Sequence, residues 1–353
     1  MRKILNYRSK QELIITLLLL LITTGSGLVF YFFRFLEPVA PYQVFSREVH
    51  IEKGYSSRQI AEKLEEKELI RSSLFFQLVI RLTGRAPYLQ AGSYHFSSSQ
   101  SLWEIVEDLV KGRVVTRGIT IPEGYTVLQI ANLLEKEIDI SSASFLEAVN
   151  SRDLYSFLEG VYSVEPYYYL EGYLFPDTYH LSSETSPEEI VQLMLNRLWD
   201  YVEDYTVRQR ARQLDLNLHQ VLTIASMIED EARYEEERAL ISGVIHNRLK
   251  KGMPLQIDAT IQYLLPERKV RILYQDLRLD SPYNLYLYDG LPPGPISNPG
   301  ISSILAALYP VRTDYLYYVA RDDGTHIFSH TYQEHLEAQR RIEAGQHSPP
   351  EDR

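Results

Sequence analysis

The stretch ASMIEDEARYEEERAL (225–240) opens as an apolar helix and then carries six carboxylates between Glu229 and Glu237. An acid directly after Ser226-Met227-Ile228 belongs either to a solvated turn or to a site that holds a carboxyl group beside apolar atoms. In the second setting lost hydration penalises the charged form and raises the pKa. Such a group suits general acid work on an acetal, because it can give up a proton and later take one back. Helical spacing puts Glu229 beside Ala225, Ser226, Ala232 and Arg233, a face of small side chains with room for a substrate. Glu231 falls about 200° round the helix, over Met227, Ile228 and Glu235. Glu235, Glu236 and Glu237 read as the first turn of a following helix, where carboxylates favour the positive dipole end.

Most glycosidases flank the bond with two carboxylates. Asp258 in MPLQIDATIQY is available 29 residues on, but it reads rather as a turn residue or the N-cap of a helix beginning at Ala259. His326, His330 and His335 are spaced as zinc ligands can be, yet they straddle a strand, a loop and a helix start, and no H-E-x-x-H occurs. Neither a metal nor a cofactor is expected. The chain has no cysteine, which excludes disulfides and thiolate catalysis. No G-x-S-x-G or phosphate-binding glycine loop is present. A net charge of −11 without a basic stripe argues against nucleic acid as a partner.

Several elements must position these groups within the 353 residues. Residues 13–33 carry no charge, and at 1.5 Å per residue they cover roughly 30 Å, the apolar thickness of a bilayer. Arg2, Lys3, Arg8 and Lys10 precede them, so residues 1–12 are expected in the cytoplasm and the rest beyond the membrane. After a linker (34–48) comes an internal repeat. VHIEKGYSSRQIAEKLEE aligns without a gap to ITIPEGYTVLQIANLLEK at an offset of 70. Gly54, Tyr55, Ile60, Ala61 and Leu64 recur as Gly124, Tyr125, Ile130, Ala131 and Leu134. Each copy reads as strand, glycine turn, a helix capped by Ser56 or Thr126, and a second helix start at Ser72 or Ser142. The pattern resembles the LysM module, which binds N-acetylglucosamine polymers, and 49–150 is read as such a region. Residues 154–341 then form a second domain, in which Ser186 and Thr331 cap helices, Gly252 stops one, and 315–329 gives two strands. The proline- and glycine-rich segment 280–300 is expected to be an ordered loop. Residues 342–353 are a tail. Mixed elements without a βαβ rhythm indicate an α+β fold.

In order, LEGYLFPDTY, ASMIEDEA, HNRLKKGMPLQIDAT, SPYNLYLYDGLPPGPISNPG and YLYYVARDDGTHIFSHTYQEH resemble the endolytic murein transglycosylases, the MltG or YceG-like family. The resemblance implies a single-pass enzyme of a bacterial inner membrane that cuts peptidoglycan glycan strands internally, beside the cell-wall synthesis machinery. It implies that Glu229 protonates the oxygen between N-acetylmuramic acid and N-acetylglucosamine and then helps the muramyl C6 hydroxyl close on C1. It further implies that Glu171, Tyr173, Asp177, Asn247, Gln256, Asp258, Thr260 and Asn298 shape the cleft. Two departures are Ala259, where relatives often have proline, and Asp230, where many have lysine; a negative neighbour is expected to raise the Glu229 pKa somewhat. A hydrolytic muramidase and a glycan-binding scaffold without activity are the alternatives.

Overall fold

The computed structural model describes residues 19–21, 23–27, 33–162 and 164–345. Most of the expected span 13–33, all of 1–12 and most of the tail lie outside the described residues. Among the described residues no helix is long and apolar enough to cross a membrane.

The chain splits into two compact units, the first ending at Arg117 and taking back Ser182–Glu184, the second holding Gly118–Leu181 and the chain from Thr185 onward. In the first, β1 (Ser46–Ile51) is followed by α1 (Ser57–Glu66) and α2 (Ser73–Thr83), and β2 (Gly92–Ser97) returns antiparallel to β1 with Val49 opposite Tyr94. Strand alternation sends Val49, Ile51, Tyr94 and Phe96 to one face. Ile60, Ala61 and Leu64 of α1 and Phe76, Val79 and Ile80 of α2 are buried in the same core. The unit is completed by α3 (Leu102–Lys111), closed by a capping box at Ser101 and by Gly112 in the left-handed region.

The first compact unit ends at Arg117, and the second copy of the repeat, from Gly118 on, belongs to the second. Its β3 (Arg117–Thr120) leads into α4 (Val127–Ile138), capped by Thr126, and α5 (Ser142–Val149). Helix α5 starts at Ser142 as expected, capped by Ser141, whose side chain accepts the Ser144 amide. The copy's core face, Ile130, Ala131 and Leu134, joins the cluster that also buries Leu170, Leu222 and Ile228, which is why it does not stand apart from the later helices. The strand that pairs with β3 is β4 (Thr178–Leu181), so residues 150–177 are inserted before the copy closes.

Next come α6 (Pro187–Val202), α7 (Tyr205–Gln213), α8 (Leu218–Glu231) and α9 (Glu235–Lys251). Residues 221–228 of α8 are all buried, which makes it the central helix. It packs against α7, α9, α10 (Asp258–Leu264) and α11 (Ile301–Leu308). The segment 280–300 is ordered: Tyr283, Leu285 and Ile296 belong to the core, and Asn284 Nδ2 donates to the carbonyls of Leu277 and Leu279. An antiparallel hairpin of β5 (Tyr317–Ala320) and β6 (His326–Ser329) and the helix α12 (Tyr332–Glu343), capped by Thr331, complete the unit.

One backbone position is unusually constrained. Gly172 has φ +81°, and a Cβ there would overlap the ring carbons of Pro295. A side chain must adopt a left-handed conformation and displace Pro295 together. Gly172→Ala is therefore expected to lower stability by about 2–4 kcal/mol, measured as a shift in the urea unfolding midpoint at unchanged slope.

Candidate active site

The last turn of α8 carries three successive acids that face three different surroundings. Glu229, its side chain only 7% exposed, accepts from Arg238 Nη1 at 3.1 Å through Oε1 and from the Gly300 amide at 3.0 Å through Oε2. Arg238 comes from the first turns of α9 and also donates to Ser303 Oγ at 2.6 Å and Glu235 at 2.9 Å. Gly300 is the N-cap of α11, so its N–H points at Glu229 beside the positive end of that helix. The surroundings are thus not the expected apolar cage. The expected face of small residues is also shorter, since α8 ends at Glu231 and Ala232 is already extended. A carboxylate offers about four lone-pair positions. Two are used, which leaves acceptor or proton sites free on each oxygen.

Asp230 turns to Arg268, and burial pushes its carboxyl up to about 6 against that cation. Glu231 faces the other way, into a cavity of about 350 Å³ lined by Gln256, Asp258, Tyr286, Tyr318 and Arg248 among others. Burial, and then the charge of Asp258, push Glu231 up to about 7, although the Ala259 amide and the Tyr318 hydroxyl donate to it.

What holds Glu229 in place is the loop before α11. Asn298, fully buried, accepts the Leu174 amide at 2.9 Å and donates to Tyr125 O at 2.8 Å and to Glu171 Oε1 at 3.2 Å. Its backbone exchanges two further bonds with the Gly124–Tyr125 turn. Glu171 in turn accepts the Val127 amide at the start of α4 and the Tyr263 hydroxyl. Burial dominates its titration and pushes it up to about 8 despite those donors. Asn298 and Glu171 are therefore a buried brace, joined directly to the turn beside Glu229; Gly124 lies so close that a Cβ would sit 3.5 Å from Glu229 Cγ.

The other expected cleft residues do not converge on Glu229. Gln256 and Asp258 line the cavity of Glu231. Asp258 is no helix cap: α10 starts at Asp258 itself without a side-chain cap, and the carboxylate accepts the Tyr286 hydroxyl. Thr260 is buried and bonds back to Ile257 O. Tyr173 is buried with its hydroxyl 2.9 Å from His219 Nδ1. Asn247 holds the carbonyls of Thr313 and Tyr315 and lines a separate groove of about 1160 Å³. Asp177 pairs with Arg197 at 2.6 Å, and the Thr178 amide with that arginine keeps it below the usual carboxylate range. His326 is bound by Glu237 at 2.7 Å, and among the described residues no group of three such side chains could hold a metal ion.

Sequence reading missed Arg238, Gly300, Ser303 and Glu123. Glu123 is the acid of the PEGY turn, and burial together with the charge of Glu229 raises its pKa. One signal was available, since Glu123 stands where the first copy has Lys53, a reversal of charge directly before the shared Gly-Tyr pair.

The YceG-like family model matches residues 49–341. The endolytic murein transglycosylase of Bacillus subtilis (strain 168) is 35% identical over 323 residues, covering 88% of this chain and 89% of that protein. The endolytic murein transglycosylase of Streptococcus pneumoniae serotype 2 is 29% identical over 336 residues, 87% of this chain and 60% of its own. A crystal structure of a YceG-like protein from Listeria monocytogenes superposes with a TM-score of 0.58 at 34% identity, over 83% of this chain and 99% of that one.

The brace generates a pH dependence. Folding lifts Glu171 from an ordinary value of 4.5 to about 8 and Glu231 to about 7, so across that window the folded protein binds more protons than the unfolded chain. Stability is then fully present at the acid end and falls as pH rises. Melting temperature should decline between about pH 5 and pH 8, and Glu171→Gln, which carries no titrating proton, should make the decline shallower.

Proposed function

This chain belongs to the YceG-like family, and on that premise we propose that it cuts peptidoglycan glycan strands internally with Glu229 as general acid and base. It is a peptidoglycan lytic transglycosylase, the activity for which its Bacillus and Streptococcus relatives are named. The protonated Glu229 gives its hydrogen to the oxygen between N-acetylmuramic acid and N-acetylglucosamine, and the C1–O bond breaks. The substrate's own N-acetyl group stabilises the positive charge at C1. Glu229, now a carboxylate, takes the proton of the muramyl C6 hydroxyl as that oxygen closes on C1 and leaves a 1,6-anhydro end. The observation that carries this reading is the largely buried Glu229 carboxyl, oriented by Arg238 and the Gly300 amide with lone pairs to spare.

The same reading places residues 13–33 in a bacterial cytoplasmic membrane, with 1–12 inside and the enzyme outside, near the machinery that makes the wall. The repeated region 49–150 is read as LysM-like and glycan-holding. A second reading rests on the cavity of Glu231 and Asp258, where one carboxyl raised to about 7 stands beside another; there Glu231 is the acid. Water in place of the C6 hydroxyl gives the hydrolytic variant.

Glu229→Gln should lower turnover of glycan strands by about 10²–10⁴-fold while melting temperature is kept. Mass spectrometry of the wild-type products should find ends one water lighter than reducing ends. Loss of turnover in Glu231→Gln alone moves the acid to the cavity, and reducing ends make the enzyme a hydrolase.

A further inference from the structure

We propose that Glu123 is a second catalytic carboxyl, the base that takes the proton from the attacking hydroxyl while Glu229 serves the leaving oxygen. This rests on the reading of Glu229 as the acid and divides between two residues the roles that reading gives to one.

The geometry meets at Gly300. Its amide donates to Glu229 Oε2, and a Cβ on it would overlap the Glu123 carboxyl, so the two acids approach one glycine from two sides. Gly300 has an ordinary φ of −75°. Its lack of a side chain therefore serves space and not backbone freedom. Glu123 cannot drift far at its root, because the turn that carries it is tied to residue 298 by the Gly124 amide to Asn298 O and the Asn298 amide to Tyr125 O, both 2.9 Å. The charged groups that face it are Glu229 from α8 and Arg238 and Glu235 from α9.

The two acids are otherwise unlike. Glu229 is largely buried and engaged at both oxygens, whereas Glu123 is an exposed residue whose carboxyl end alone is partly enclosed against Gly300, and among the described residues no hydrogen bond reaches its carboxylate. An exposed acceptor beside an oriented, enclosed acid is the division of labour that a concerted proton exchange needs. The step balances. The Glu229 proton goes to the bridging oxygen, whose C1 bond breaks and whose electron pair leaves with the N-acetylglucosamine side. The C6 oxygen forms its bond to C1 and loses its proton to the Glu123 carboxylate. Solvent then returns that proton to Glu229, and nothing is oxidised or reduced.

The test uses the full chain on glycan strands, with initial rates from pH 4 to 9. Glu123→Gln should lower kcat by about 10–10³-fold at nearly constant KM and abolish the limb on which wild-type rate rises with pH. Glu123→Ala should recover part of the loss in formate, and Glu229→Gln should not. Gly300→Ala pushes the Glu123 carboxyl aside without changing charge, so it should depress kcat similarly, and combined with Glu123→Gln it should add little. An unchanged kcat and acid limb in Glu123→Gln overturns the proposal, as does a loss that leaves the acid limb in place. If Glu229→Gln is also fully active, the reading of Glu229 fails as well; if Glu229→Gln is inactive while Glu123→Gln is not, only the role of Glu123 falls.

Discussion

The Asn298 side chain is the interaction on which this arrangement depends. It fills its acceptor with the Leu174 amide and its donor with Tyr125 O and Glu171, all at a fully buried position. A buried amide whose groups are all partnered is rigid because each alternative orientation leaves a polar atom unmet. That rigidity spans great distances along the chain, 173 residues to Tyr125 and 124 to Leu174. Three segments otherwise free to shift are thereby set against one another, and Gly300, two residues beyond Asn298, presents its amide to Glu229 as a consequence.

Three adjacent acids at one helix end invite a single explanation, but each has its own partner. Glu229 is met by a guanidinium and a backbone amide, Asp230 by Arg268, and Glu231 by another carboxyl across a cavity. The helical twist of about 100° per residue is the reason, since consecutive side chains leave the axis in different directions. Desolvation therefore raises Asp230 and Glu231 for unrelated local reasons.

Much of the fold was legible where local rules operate. Capping boxes at Ser56, Thr126 and Ser186, the stop at Gly252 and the hairpin of β5 and β6 all arise from residues within a few positions of one another. The repeat was legible too, though its second copy shares a core with later helices because its apolar face meets Leu170 and Ile228, which no local pattern reveals. The site was read less completely. Glu229 stood out by following an apolar run, but its partners Arg238 and Gly300 lie on other elements, and the Gly300 bond spans 71 residues. Tyr173, Thr260 and Asn298 are polar residues used for bracing, and sequence alone does not separate a brace from a ligand contact. Asp258 looked like a cap because Asp is good at capping, whereas the nearby Tyr286 hydroxyl takes its carboxylate.

The central claim is that the glycosidic oxygen is protonated beside Gly300, on the face of α8 that carries Glu229. A crystal structure of the Glu229→Gln protein with an intact glycan strand bound tests it most directly. The account predicts the scissile oxygen within hydrogen-bond distance of the residue 229 side chain, next to the turn of Gly124. A strand seated instead in the cavity of Glu231 and Asp258, with its scissile oxygen against Glu231, would contradict it.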